Sequence, residues 1–388
     1  MVTPFKAHRR GPAGRRGTVT VLAAFFSIVM LGMVAFSVDI GYLLSVKEEM
    51  QRTADAAAMA AVWEYAQKLA DGEAQIDCDV SGRASAASVA SGNEVANLPP
   101  EINQNSGNSA TGDLVFGYVP DLRNPAQMDT AYRDLFNVAK VKIRRDGTLN
   151  GEAPLFFAAV FGLHSTSLEA EAMAGLVRDV GGFEAPSSGK NLDLLPFTLD
   201  VPTHDAWLAG AGDDSWTYDE SSGLVYPGPD GKPEVNLYPQ DTGSPGNRGT
   251  VDIGGSNNST NDIARQILQG VSDGDLAALG KPLALDHNGE LTLNGDTGIS
   301  AGVKDELAAI RGEPRVIPIF REVNGPGNNA IYTIVRWQGI RIMDVKLTGP
   351  MKKKHVTIQM APVLSEGVIQ SGKAGSSNFV FSPVVLIQ

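Results

Sequence analysis

Cysteine is almost absent from this 388-residue chain, with Cys78 standing alone. A single thiol excludes an intramolecular disulfide framework and any CxxC zinc site. Histidine is nearly as scarce. The five present (His8, His164, His204, His287 and His355) lie too far apart for an HxxxH ligand pair. Basic charge is the third shortage: 32 Lys and Arg stand against 44 Asp and Glu, a net charge of −12. Such an acidic balance argues against a nucleic-acid partner, which calls for a basic face or stripe. Length excludes a small stapled scaffold. At about 100–200 residues per domain, the chain has room for two or three compact units, each with its own core.

What basic charge there is gathers at the start. Lys6, Arg9, Arg10, Arg15 and Arg16 are accompanied by no acid, so the first sixteen residues carry +5 and the remainder −17. Gly17 to Val38 then runs without a charge. As a helix it would span roughly 33 Å at about 1.5 Å per residue, enough to cross a bilayer core of about 30 Å. Basic residues before the span and acids after it orient it with the amino terminus in the cytoplasm and the acidic bulk outside. The rival reading is a cleaved signal peptide, with Ala35-Phe36-Ser37 as a small-x-small site. Apolar regions of signal peptides are about 7–15 residues long, however, and here the helical pattern continues through that site.

From Ile40 the positions Leu43, Leu44, Met50, Ala54, Ala58, Ala61, Val62, Tyr65 and Leu69 recur at spacings of three and four, with Lys47, Glu48, Arg52 and Glu64 mostly on other faces. The pattern predicts one long stem helix continuing from the membrane. Alanine at 54, 56, 57, 58, 60 and 61 favours helix and lets a neighbouring backbone come close. That face packs either on the protein's own globular region or on other stems in an assembly.

Three stretches carry a family resemblance: Arg16-Gly17-Thr18-Val19-Thr20-Val21, Val38-Asp39-Ile40-Gly41, and Gln51-Arg52-Thr53-Ala54-Asp55-Ala56-Ala57-Ala58-Met59-Ala60-Ala61. Together they resemble the amino-terminal region of TadE/TadG-like proteins of the tight-adherence (Tad, or Flp) pilus-assembly system. A second match follows in Asn137 to Ile143, Pro154-Leu155-Phe156-Phe157-Ala158 through Gly162, and Leu168 to Ala174, similar to the family's strand, PLFFA helix and closing A-x-A strand. Pilin-like members are cut after a glycine and carry glutamate five residues beyond it. Here that position is Leu22, so the resemblance is to the uncleaved TadG-like type. It implies a bacterial adhesion or pilus-assembly role, with other pilus-assembly or envelope proteins as partners through the stem. Asp39, at the outer edge of the span, is expected to be an interfacial carboxylate that reaches water.

Beyond the stem, Ser81 to Asn97 reads as a short helix ended by Pro99-Pro100. Leu114 to Val119 and Val138 to Ile143 read as strands, PLFFA as a helix opened by Pro154, and Leu168 to Val177 as either strand or helix. Gly181-Gly182 to Gly189 reads as a linker. Past Leu194 short apolar runs alternate with Gly, Pro, Asn and Asp. Helices are expected at Asn261 to Gly270 and Gly302 to Ile310, and strands at Arg315 to Phe320, Ile331 to Trp337, Ile340 to Leu347, His355 to Met360 and Phe379 to Ile387. Pro245 to Gly249 and Gly312 to Phe320 resemble the carboxy-terminal half of some long family members, less specifically than the stem does.

The expected fold is α+β. Residues 1–17 form a basic cytoplasmic tail, 18–42 a transmembrane helix, 43–180 a stem with a small α+β domain, 181–193 a linker, and 194–388 a β-rich extracytoplasmic domain. Chemistry-bearing patterns are few. Gly270-Val271-Ser272-Asp273-Gly274 fits GxSxG, but a nucleophile elbow needs a strand before the serine and here a helix precedes it. Some TadG-like proteins carry a DxSxS metal site. The nearest sequence, Asp213-Asp214-Ser215-Trp216-Thr217, follows a Gly/Ala stretch rather than a buried strand. Asp213, Asp214, Asp219 and Glu220, and Asp286 to Glu290, lack calcium-loop spacing and read as solvated loops. Asn257-Asn258-Ser259-Thr260 holds two overlapping sequons, and Lys352-Lys353-Lys354 reads as a turn. The expectation is a single-pass protein of the cytoplasmic membrane with a periplasmic or extracellular bulk, non-enzymatic, with no catalytic, cofactor or metal residues. It would act as a structural or assembly component of a Tad/Flp-type pilus or adhesion apparatus. The alternative is a membrane-anchored extracytoplasmic hydrolase or ligand-binding protein.

Overall fold

The computed structural model describes residues 16–70, 75–123, 125, 128–238, 248–254, 259–325, 327–371, 373 and 375–387. The basic tail through Arg15, Pro245 to Asn247, and Asn257-Asn258 of the sequons lie outside them. The span and stem form one helix, α1, Arg16–Ala70, 55 residues without a proline. At about 1.5 Å per residue it is roughly 80 Å long. Its first part stands clear of the rest of the protein: from Val19 to Val38 only Ala35 is even half-buried. Burial begins at Asp39 and continues through Val46, Met50, Ala54, Ala57, Ala58, Ala61 and Tyr65. This is the three-and-four spacing of a single buried stripe.

The stripe packs on the chain's own elements. One is α2, Gln75–Gly92, whose Cys78, Gly82, Arg83, Ala86 and Ala90 face inward. The helix starts six residues before the expected Ser81. It ends at Gly92, ahead of the two prolines, because the chain turns back at Val95–Leu98 with Ala96 and Asn97 at positive φ. The other is an antiparallel sheet ordered Leu114–Gly117, Val138–Arg145, Leu168–Gly175 and Val385–Ile387. The ambiguous segment after Ser167 is thus a strand, and its Ala170, Ala172 and Ala174 point at the helix. Alanine on both sides brings helix and sheet close together. The alanine face is therefore used within the chain.

Carboxy-terminal to this unit lies a β-rich region around one long strand, Ala330–Lys346. Two strands were expected here, and the ladder runs through both. One edge pairs along its length with Pro314–Asn324. The other pairs with Leu291–Asp296 near its start and His355–Met360 near its end. Register shifts at Ile319/Phe320, Phe320/Glu322 and Ile342/Asp344 mark bulges, which bend and twist such strands. Both faces are covered, by a core with Phe183, Tyr332 and Trp337 on one side and another with Trp207, Ile317 and Ile340 on the other. Helix α3, Val201–Leu208, carries Trp207. Helices α4, Thr260–Gln269, and α6, Lys304–Ala309, supply Ile263, Ile267 and Leu307 to the same second core.

Two segments depart from expectation. Residues 181–193 are no open tether. Val180–Phe183 is a buried strand between Leu283–Ala284 and Val368–Gln370, and Leu192 is buried as well. Phe379 to Ile387, expected as one strand, divides into Val380–Phe381 and Val385–Ile387, which belong to different sheets. Successive side chains of an extended segment point to opposite sides. Val380 accordingly enters the distal core, while Phe379 and Phe381 pack on the stem core. The close passage is permitted by Gly339, where a Cβ would fall 2.3 Å from the Phe379 carbonyl and 2.4 Å from that of Ala361.

Candidate functional site

The region where α1 leaves its exposed apolar part is the best-defined polar arrangement near the family motifs. Asp39 is 3% exposed, buried rather than reaching water as expected. Its carboxylate accepts three backbone N–H groups, from Phe156 at 2.9 Å, Phe157 at 3.0 Å and Ala158 at 2.7 Å. These N–H groups open the 3₁₀ helix Ala158–Phe161, so Asp39 caps an element more than a hundred residues away. The PLFFA segment is not an α-helix. Ala153–Pro154 pairs with Ser165–Thr166, and Leu155 N–H donates to the His164 carbonyl at 2.9 Å. The loop closed at that base has room for one tight turn, ended by Gly162 at φ +84°. Phe156 meets the Tyr42 ring edge-on at 5.2 Å. The two motifs that carried the resemblance, VDxG and PLFFA, are thus joined by hydrogen bonds, a contact that neither motif's local pattern announces.

Beside the stem, sequence reasoning missed a buried ionic network. Arg83 and Asp79 are 2% and 1% exposed and pair at 2.8 Å. The guanidinium also donates to the carbonyls of Gln104 and Leu114 and to Asn108 Oδ1, and lies 5.2 Å from the Phe116 ring centre. Arg133 reaches the other Asp79 oxygen at 3.0 Å. The one available signal was the i, i+4 spacing of Asp79 and Arg83, which is equally common on exposed helix faces.

In the distal region the structure redistributes the acids that the sequence grouped together. Asp219 caps its own turn, accepting from the Ser221 and Ser222 hydroxyls. Asp214 instead meets Asp230 and Glu234, with one carboxylate oxygen from each within 4.8 Å of the others. These oxygens already have protein donors. Gln359 Nε2 reaches Asp230 at 3.1 Å and Glu234 at 3.3 Å, Asp214 accepts the N–H groups of Asp230 and Gly231, and Glu234 accepts that of Ser215. Burial, helped by the neighbouring Asp214 and Asp230 charges, pushes the Glu234 carboxyl up. Asp286 closes a turn by accepting the N–H groups of Asn288 and Glu290. Met351–Lys353 is a 3₁₀ turn before the strand that begins at His355.

Ser272 caps helix α5, Asp273–Leu279. Its hydroxyl accepts the Asp275 N–H while its own backbone N–H donates to the Asp275 carboxylate at 2.8 Å, a capping box that accounts for both residues. Arg248, of the segment resembling longer family members, is 9% exposed and joins three elements. It pairs with Asp200 at 2.7 Å, donates to the Asn236 carbonyl at 2.7 Å, and contacts the Thr203 hydroxyl. His204 is wholly buried, with Nε2 at 2.8 Å from Gln338 Oε1 and Nδ1 facing Arg336 and Asp205.

Comparison with known proteins bears on the stem unit. A family model described as Flp pilus-assembly TadE/G-like matches residues 17–68, and one described as Tad-like Flp pilus-assembly matches residues 46–174. The first covers the exposed span and the stem. The second runs from the buried stripe to the third strand of the small sheet and takes in the loop held by Asp39. No curated protein and no solved structure matches the chain. Through residues 17–174 the chain is similar to the TadE/TadG-like family of Flp pilus-assembly proteins.

Proposed function

We propose that this protein is a single-pass, membrane-anchored structural component of a Tad/Flp-type pilus or adhesion apparatus, non-enzymatic, with its bulk outside the cytoplasmic membrane. The observation that carries the reading is α1 itself. Residues 19–38 form an apolar helix that touches almost nothing in the protein, and the same helix continues without a break as the buried stem of a family domain. About 20 residues at about 1.5 Å each make about 30 Å, the thickness of a bilayer core. The basic residues before the span support a cytoplasmic amino terminus. Leu22, in place of the pilin-type glutamate, supports an anchor that is kept.

The division into a stem unit at 43–180 and a distal unit at 194–388 belongs to this proposal. The stem unit is fixed at the membrane, and the distal unit reaches outward. With the alanine face occupied internally, partner proteins would meet the outward face of the stem, where Met59 and Trp63 stand one turn apart at 40% and 41% exposure.

Fractionation with alkaline carbonate extraction, followed by amino-terminal sequencing and co-purification, tests the reading. The intact chain is expected in the membrane pellet together with other components of the apparatus. Recovery in the soluble cytoplasm, or as a released form beginning near Val38, would overturn it.

A further inference from the structure

The loop held by Asp39 presents an apolar surface that the described residues leave uncovered. From Ala153 to Leu163 it contains no charged residue, in a body that is otherwise strongly acidic. Val160 and Phe161 are 84% and 81% exposed, and Leu163, Phe156 and Phe157 are 61%, 59% and 44% exposed. Such a concentration of large apolar side chains marks an interaction surface. The geometry points to a specific occupant. We infer that this loop is a second membrane contact, seated in the outer interfacial layer of the same bilayer that α1 crosses.

The inference rests on the anchored reading above and extends it from the helix to the domain. The charge-free part of α1 ends at Val38, and the next residue holds the loop by three N–H groups. With residues 19–38 filling a hydrocarbon core of about 30 Å, Asp39 marks its outer boundary. The 3₁₀ turn that follows rises about 2 Å per residue over four residues, so its backbone lies within about 8 Å of that level. Headgroup layers occupy about 5–7 Å on each side of the core, and interfacial segments bury their apolar side chains about 5–10 Å into that boundary. Phenylalanine and valine beside a helix already lodged in lipid continue its lipid-facing surface. Asp39 sets the height and rotation of the loop. Two contacts fix the tilt of a body that one flexible anchor would leave free.

The test is spin-label accessibility in the full-length protein reconstituted into phosphatidylethanolamine/phosphatidylglycerol nanodiscs. Labels are placed singly through Val160→Cys, Phe161→Cys, Phe25→Cys within the span, and Leu224→Cys on a distal hairpin. Cys78 is buried and serves as the unlabelled control. All four labelled positions are exposed, so folding is not at stake. At 160 and 161 the ratio of oxygen to nickel-chelate accessibility is expected to exceed that at 224 severalfold and to approach that at 25. If 160 and 161 match 224 while 25 remains in lipid, the loop faces water and the inference falls, though the anchor stands. If 25 is also aqueous, the anchored reading falls with it. Labels at 160 and 161 that are shielded from both reagents and broadened by a neighbouring spin would show the loop packed on a second copy, which equally overturns the inference.

Discussion

At the scale of single residues, buried polar groups decide what this protein tolerates. Arg83 is satisfied on every side, so replacing it leaves the buried Asp79 with only the partly exposed Arg133 as a cation and strips the Gln104 and Leu114 carbonyls of their donor. Breaking a buried pair from one side costs about 3–5 kcal/mol, more than the pair contributes over an apolar replacement. Arg83→Ala is therefore expected to lower the unfolding free energy, read from urea denaturation, by an amount of that order, with little recovery in Arg83→Lys, which cannot span the same acceptors. His204 gives a pH dependence. Burial, aided by Arg336, pushes its imidazole below the ordinary value of 6.5, while Gln338 and Asp205 act in the opposite sense without reversing it. The folded state thus resists a proton that the unfolded chain accepts. The stability this confers is complete above about pH 6.5 and is lost as pH falls toward the depressed folded value. Thermal melts from pH 8 to pH 5 are expected to show that decline, and His204→Gln should flatten it. Neither site was legible beforehand, because one histidine in five or one i, i+4 ion pair looks the same buried or exposed until the partners from distant segments are known.

At the scale of elements, periodicity told most of the story. The stem, the strands Pro314–Asn324 and His355–Met360 and the helices Thr260–Gln269 and Lys304–Ala309 are where spacing and turn residues put them. Short segments fixed by distant contacts were another matter. Pro154 looked like a helix opener, yet pairing with Ser165 and the cap from Asp39 held the segment as a loop. Asp39 itself was visible as part of a motif, but its burial depends on a segment more than a hundred positions away. Gly82 carries the clearest prediction at this scale. Gly→Ala within a helix ordinarily gains about 1 kcal/mol. Here a Cβ would lie 2.8 Å from both the Ala61 carbonyl and the Phe116 ring, where α2 crosses α1. Overpacking of about 1–3 kcal/mol outweighs the helical gain. Gly82→Ala is expected to lower the melting temperature, and an increase would show that the two helices can move apart.

At the scale of the whole molecule, the carboxy-terminal segment links the stem core to the core around Ala330–Lys346. Ser382 exchanges hydrogen bonds with Val177, Phe381 packs on the stem core, and Val385–Ile387 forms the edge of the sheet that packs on the stem. Deleting residues 383–388 is expected to leave the distal core intact while the stem unit melts earlier and is cleaved faster near Leu168–Gly175. Unchanged protease sensitivity there would mean that the edge strand is dispensable. The link also sets an order of events in time. Leu168–Gly175 is synthesised well before the strand that flanks it, and the entire distal region is made in between. Closing so long a loop is slow, since contacts distant in sequence must wait for the intervening chain. The small sheet that packs on the stem is therefore the last part of the fold to be finished, and it keeps an open edge until Val385–Ile387 has been made.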